Sequence, residues 1–408
     1  MVDLLLKNAH LCGEDVGKDV AIQGERIVAV GPNLPTEARQ VINVGGRTIL
    51  PAFVDCHIHL DKAWTMDKIT NESGTLEEAI DNFMHYFEQA DEEDIYQRAM
   101  MAAERAVAYG TGALRTHTTV DSRQGLKALR PLLALRERLR GKLEIQVVIF
   151  PSFRGGDALH VKKLIIQALA AGADVLGGCP NLHPDGRTFI DEMFTLAREY
   201  SVPIDFHVDE SDEPNADVLE YLAEKTLVEG MQGRVTASHC CSLAAVPQAV
   251  ADRIIGKVRD AGLNVVTLPS CNMFLMGRRD PQPVRRGVTR VNELLQAGVN
   301  VAYASDNVRD PFRPFGNGDM LEEALFTAQV IQKGYRKGIL EVLEMGTYRA
   351  AKVMGLQEYG LAPGNYADIV VLEAPDAVEA VLSQARRTLV IHRGRIVARE
   401  GKMVETCP

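Results

Sequence analysis

The chain has 408 residues, 46% of them hydrophobic and 25% charged, the balance of a soluble globular protein. That length exceeds the roughly 250 residues of an α/β barrel and leaves about 150 for something else. A net charge of −10, with no basic stripe interleaved with aromatics, argues against nucleic acid and anionic membrane surfaces as partners.

The first fifty residues alternate short apolar runs (3–8, 19–22, 26–30, 41–44, 48–50) with turn residues such as Gly24, Gly31-Pro32 and Gly45-Gly46. The apolar run at the start is interrupted by Asp3 and Lys7, too short and too charged for a signal peptide. No run of about 18 apolar residues occurs anywhere, so no membrane span is expected. Seven cysteines, an odd number without CxxC spacing, fit a reducing cytoplasm rather than a disulfide framework or a structural zinc site.

The middle of the chain changes character. Apolar, β-branched runs at 52–58, 113–119, 145–150, 175–179, 203–208, 235–239, 264–268 and 300–304 are separated by amphipathic stretches. From the second run onward they start roughly 30 residues apart, the length of a strand-plus-helix unit. Near-continuous apolar strands are those buried on both faces, and eight such units in series predict a closed (β/α)8 barrel. Two intervals break the period: 61–109, with an acidic helical stretch predicted over 75–109, and the Pro/Phe/Gly-rich 309–318. Both begin at the C-terminal ends of strands, so both are expected to cover a site there.

The last fifty residues return to short strands, at 369–372, 388–391, 395–398 and 402–404. The expected fold is therefore α/β: a barrel over 52–359 plus a small β-sandwich domain built from 1–51 and 360–408.

Five of the ten histidines (His57, His59, His117, His207, His239) fall at the predicted C-terminal ends of strands 1, 2, 5 and 6. Chance would place fewer than one there, and active sites of this architecture sit at that end. In a strand, residues i and i+2 face the same side, so His57 and His59 both point into the barrel mouth as the opening pair of metal ligands. His207 is a candidate third ligand. Glu210, three residues on, lies past the strand end, where a carboxyl can move protons without binding metal. A plain solvated acidic turn is the competing reading of 209–213. His239 is either a fourth ligand or a partner of the attacking water. Asp306 follows strand 8, where it can ligate metal and accept a proton, or simply cap a helix. His117 reads as structural or as a substrate contact, and Lys62 and Trp64 as substrate contacts or surface. No GxSxG elbow, Walker loop or dinucleotide fingerprint is present.

Taken together, the segments Ile49-Leu50-Pro51-Ala52-Phe53-Val54-Asp55-Cys56-His57-Ile58-His59-Leu60-Asp61-Lys62, Arg115-Thr116-His117, His207-Val208-Asp209-Glu210, Thr236-Ala237-Ser238-His239, Ser305-Asp306-Asn307 and Gly364-Asn365-Tyr366-Ala367-Asp368 resemble the amidohydrolase superfamily. More narrowly, they resemble its cytosine deaminase and N-isopropylammelide amidohydrolase branch. The resemblance implies one divalent metal, zinc or iron first and manganese also compatible, held by His57, His59, His207 and Asp306. It implies Glu210 as the acid/base, with His239 and Asp306 orienting the metal-bound water. Members with two metals use a carboxylated lysine at the end of strand 4, and 175–180 contains none, so one metal is expected. The substrate is expected against Phe150, Ser152, Asn307, Phe312 and Lys62.

Two positions depart from cytosine deaminases. Ser152 stands where they carry a glutamine after strand 3, and Asn307 where a second aspartate follows the strand 8 aspartate. A shorter hydroxyl and a neutral amide change the hydrogen-bond pattern, and buried polar edges discriminate strongly when mismatched. The expected activity is deamination of a cytosine-like or 5-substituted ring with release of ammonia. Alternatives are release of an N-alkylamine from a triazine, hydrolysis of another cyclic amidine or amide and, remotely, a non-catalytic scaffold. A homo-oligomer is expected from the resemblance.

Overall fold

The computed structural model describes every residue except 12–15, 36, 154–157 and 405–408. The chain enters through β1 (Val2–Leu11), β2 (Val16–Gln23), β3 (Arg26–Pro32), β4 (Ala38–Asn43) and β5 (Thr48–Pro51). The middle supplies β6 (Phe53–Ile58), β7 (Thr111–Asp121), β8 (Glu144–Ser152), β9 (Val175–Gly178), β10 (Ile204–Val208), β11 (Val235–His239), β12 (Asn264–Thr267) and β13 (Asn300–Tyr303). It leaves through β14 (Ile369–Leu372), β15 (Arg387–His392), β16 (Arg395–Arg399) and β17 (Lys402–Met403). All eight middle strands expected from the apolar runs are present.

β6 to β13 pair in chain order, every pair parallel. Strands such as β6, β10 and β11 are buried at every residue, which is why their sequences do not alternate. The barrel closes between its last and first strands through two backbone hydrogen bonds. Asp306 N donates to His57 O at 2.8 Å, and His59 N donates to Asp306 O at 3.0 Å. Three of the expected metal ligands thus form the seam of the barrel. β9 is packed too tightly for any side chain at Gly177, where a Cβ would lie 2.5 Å from Val148 Cγ1 and 2.7 Å from Asp205 O.

The strands from both ends form one mixed sheet, ordered β17-β16-β15-β14-β5-β1-β2-β3, with β4 paired to β1. β14 pairs antiparallel with β5, and β5 parallel with β1, so neither end builds the sheet alone. Leu4, Leu6, Val20, Ile22, Ile49, Ile369 and Ile391 give it an apolar core of its own.

The acidic stretch expected as one helix over 75–109 is two, α1 (Leu76–Gln89) and α2 (Glu92–Ala108). Ala90 is extended, and Asp91 starts the second helix, its carboxylate accepting from Asp94 N at 2.8 Å. Ala79, Phe83 and Phe87, spaced four apart, bury one face of α1. They pack with Cys271, Leu275, Met276 and Phe312 in a cluster separate from the barrel core. α1 therefore rests on loops at the C-terminal end of the barrel, where a covering segment was expected. Among the described residues, no helix is long and apolar enough to cross a membrane.

Candidate metal centre and active site

Each expected ligand sits where a strand ends. His57 is the penultimate residue of β6 and His59 the first residue after it, His207 is the penultimate residue of β10, and Asp306 lies just beyond β13. His239 (φ 69°) and Asp306 (φ 59°) adopt the left-handed backbone region, at a cost of about 1–3 kcal/mol each for a residue with a Cβ. That break in the strand swings the side chains across the mouth of the barrel.

His57, His59, His207 and Asp306 each offer one donor atom, and the four atoms lie within 4.8 Å of one another. Asp306 Oδ1 is 3.5 Å from both His57 Nε2 and His59 Nε2, and His59 Nε2 is 3.1 Å from His207 Nε2. Two nitrogens about 2.0–2.1 Å from a tetrahedral ion are separated by roughly 3.3 Å, so this spacing suits a shared cation. The four side chains are 5% exposed or less, yet His57 Nε2 and both Asp306 oxygens have no hydrogen-bond partner. Buried polar atoms without partners are costly, and a cation between them satisfies all of them at once. The residues present therefore fit a divalent metal.

The electrostatics agree. Burial first, and then the neighbouring imidazoles and Lys62, push His59 well below the usual histidine value; burial and adjacent imidazoles do the same to His207. Neutral imidazole is the ligating form. Burial works to raise the Asp306 carboxyl, but His57, His239 and His59 outweigh it and hold Asp306 well below the usual carboxylate range.

Glu210 and His239 stand beside this cluster and meet at Asn272. Asn272 Nδ2 lies 3.0 Å from His239 Nδ1 and 3.3 Å from Glu210 Oε1, and Glu210 Oε1 is 3.3 Å from His239 Nδ1. The amide donates to both, so His239 Nδ1 accepts and Nε2 carries the proton. His239 Nε2 has no partner within the protein, and its buried ring is held down to about 4. With its proton on Nε2 it is a donor toward whatever occupies the centre, rather than a fourth ligand. Burial, reinforced by Asp306, pushes Glu210 well above the usual carboxyl range.

The cavity over the cluster is lined by His59, His207, Glu210, His239 and Asp306, together with all five expected substrate contacts, Lys62, Phe150, Ser152, Asn307 and Phe312. Lys62 is buried, with Nζ 2.8 Å from His59 Nδ1 and 5.2–5.9 Å from the ring centres of Phe83, Phe150 and Phe312. Asn307 donates to Asp310 Oδ2 at 2.6 Å and accepts from Cys271 Sγ at 3.7 Å. His117 lies beneath the site, its ring centre 3.9 Å from that of His57, outside the cavity lining. Trp64 is likewise not in the lining; Arg105 and Arg309 stack on its ring at 4.5 and 4.6 Å. A deeper donor group, His57, His117 and Asp205, also exists, but the Arg115 guanidinium already pairs with Asp205 at 2.8 Å.

Sequence reasoning missed Asn272, which sits on the short Pro269–Leu275 helix. Its one signal is a polar residue five positions past the β12 strand end. It also missed the α1 wall of the cavity, made by Leu76, Ile80, Phe83 and Met84.

A family model described as the amidohydrolase family matches residues 74–398. The chain belongs to that family. The amidohydrolase is 33% identical, over 98% of both chains, to N-isopropylammelide isopropyl amidohydrolase of Pseudomonas sp. (strain ADP). It is 31% identical to a pterin deaminase of Rhizobium rhizogenes, covering 86% of this chain and 80% of that one. Among solved structures, 5-methylcytosine deaminase from Klebsiella pneumoniae liganded with 5-fluorocytosine superposes with a TM-score of 0.91, 31% identity and 99% coverage of both chains. The branch that the motifs resemble is the branch these comparisons return, and its members are hydrolases of carbon–nitrogen bonds.

Proposed function

We propose that this amidohydrolase uses a single divalent metal to deaminate an amino-substituted nitrogen heterocycle of the cytosine kind, releasing ammonia. The observation that carries the reading is the placement of Glu210 and His239, joined through Asn272, on the cavity side of the four-donor cluster. Relatives that act on ammelide, pterin and 5-methylcytosine rings support the substrate class. A single metal is supported by β9, which carries no lysine.

His57, His59, His207 and Asp306 would hold the ion. A divalent cation there supplies Lewis acidity that lowers the pKa of a bound water toward about 7. Asp306, kept ionised by its imidazole neighbours, has an oxygen available to take the proton that water gives up. His239 donates from Nε2 and orients the attacking oxygen toward the amino-bearing ring carbon. Glu210, favoured in its protonated form, delivers a proton to the adjacent ring nitrogen as the oxygen adds across the C=N bond. The amino group then departs as ammonia, taking the proton released when the new C–OH becomes C=O. The proton left on Asp306 passes to Glu210, restoring both groups for the next turnover. Lys62 and the Phe150 and Phe312 rings bound the ring's far side.

The test is an ammonia-release screen of the Zn²⁺-, Fe²⁺- and Mn²⁺-loaded protein over cytosine, 5-substituted cytosines, isoguanine and aminotriazines. The reading expects turnover by loaded protein, and a Glu210→Gln variant that keeps its metal but loses about 10²–10⁴ in kcat. Full turnover in that variant would refute the role of Glu210, and no ammonia from any ring would refute the reaction.

A further inference from the structure

The Glu210 carboxyl has one hydrogen bond among the described residues, from Asn272 Nδ2 at 3.3 Å, so its aim depends on how its backbone is held. The residue before it, Asp209, is 1% exposed and takes the left-handed backbone region at φ 48°. Every polar group of Asp209 is engaged. Its N–H donates to Asn181 Oδ1 at 2.8 Å and its Oδ1 accepts from Asn181 Nδ2 at 3.0 Å, so one amide grips both its backbone and its side chain. Its Oδ2 accepts from Leu219 N at 2.9 Å, in the first turn of the helix Asp217–Val228. That helix has Ala216 at its N-cap, with no side-chain acceptor, and Asp209 fills the role from outside the helix. The Asp209 carbonyl accepts from Ser242 N at 3.0 Å, beyond β11. Asn181, which lines the cavity, stands on a close-packed base: a Cβ on Gly186 would lie 2.7 Å from the carbonyl oxygen of the preceding Pro180.

We infer that Asn181 and Asp209 are positioning residues for Glu210: their reciprocal hydrogen bonds fix the turn that points its carboxyl at the metal cluster. The inference rests on the proposed function for what Glu210 does there. A group that moves protons works only from a narrow range of positions, and a displacement of about 1 Å costs about 10² in rate. The pair therefore governs kcat, while substrate affinity and metal binding are set by other groups. Its hydrogen bonds can be reversed as a unit. When Asn181→Asp is combined with Asp209→Asn, the carboxylate at 181 accepts from the backbone N–H and the new amide at 209, and the carbonyl of that amide still accepts from Leu219 N. Either substitution alone sets two acceptors or two donors face to face.

The experiment uses the metal-loaded full chain and whichever ring of the ammonia-release screen is turned over fastest. Asn181→Ala, Asn181→Asp, Asp209→Asn and the double variant are compared with the parent for kcat, KM and bound metal. The expected result is a kcat lowered by about 10² in each single variant, with KM and metal content little altered, and a double variant restored to within about tenfold of the parent. An unchanged kcat in Asn181→Ala, a loss that comes with lost metal, or a double variant no better than its worse parent substitution overturns the inference. If no ring is turned over, the proposed reaction fails, and crystal structures of the parent, Asn181→Ala and the double variant decide the positioning role. A Glu210 carboxyl displaced by about 1 Å or more from Asn272 in Asn181→Ala, and returned in the double variant, upholds it; a carboxyl that stays in place in Asn181→Ala, or is not returned in the double variant, overturns it.

Discussion

Ser238 Oγ lies 3.0 Å from His57 Nδ1 and 3.1 Å from Asp205 Oδ1. Asp205 is also paired with Arg115 Nη1 at 2.8 Å, and Arg115 in turn donates to Gln146 Oε1 and Val353 O. Burial raises the Asp205 carboxyl and the Arg115 guanidinium opposes that rise. Paired in this way the carboxylate accepts, so Ser238 gives its proton to Asp205 and its oxygen accepts from His57 Nδ1–H. The lone pair of His57 is then on Nε2, the atom facing Asp306. Three polar residues inside the barrel thereby set the tautomer of a metal-cluster histidine.

Ser238→Ala is expected to weaken metal binding by about 10–100-fold, the usual effect of removing the partner that orients a ligating histidine. A chelator-competition titration with Zn²⁺ measures it. The metal-free variant should still fold with some loss of Tm, since one buried hydrogen-bond chain is broken at a cost of about 1–3 kcal/mol. A lower Tm with unchanged metal affinity would make the serine structural and nothing more.

Asn272 governs His239 in the same way, from the other side of the cluster. Replacing its amide by a group that accepts, as in Asn272→Asp, moves the His239 proton to Nδ1 and removes the donor from Nε2. On the proposed function, Asn272→Ala and Asn272→Asp both lower kcat by about 10², with KM and bound metal little altered. Steady-state kinetics with parallel metal analysis check this, and a normal kcat in either metal-loaded variant would dismiss the assigned tautomer.

The eight barrel strands were legible because strands buried on both faces write long apolar runs, and His57 and His59 because a two-residue spacing in a strand shares one side. The division of 75–109 into two helices was not, since Ala90 and Asp91 differ little in composition from the acidic residues around them. Ser238 and Asp205 were hidden for another reason. Both lie within apolar strands, and their partnership depends on the register in which Asp205 stands beside Thr236 and His207 beside Ser238. Register between neighbouring strands is a property of the closed barrel, and no period along one strand encodes it. Asn272 belongs to a seven-residue helix whose direction is set by the β12 loop, so its meeting with Glu210 and His239 is equally non-local.

Removing the metal tests the cluster directly. Without a cation, the close approach of His59 Nε2 and His207 Nε2 sets two weakly basic nitrogens against each other beside an ionised Asp306. Dialysis against a chelator is therefore expected to abolish turnover and lower Tm. One equivalent of Zn²⁺, Fe²⁺ or Mn²⁺ per chain should restore stability, by about 2.7 kcal/mol when free metal is 100 times its Kd. Activity that rises further with a second equivalent would contradict the single-ion centre.

Asp310 links the substrate-side loop to pH. Its carboxylate accepts from Asn307 Nδ2, Phe312 N and Arg313 N, which fixes the turn that carries Phe312 into the cavity. Burial pushes its pKa up to about 7, with those hydrogen bonds and Lys62 opposing. The folded chain therefore binds this proton more tightly than the unfolded chain, whose value is near 3.8. The stability linked to Asp310 is fully present below about pH 4 and is lost as pH rises through about 7. Asp310→Asn cannot titrate, so Tm should fall less between pH 5 and pH 8 in the variant than in the parent. Parallel Tm–pH profiles over that window would show that Asp310 does not hold a proton in the folded state.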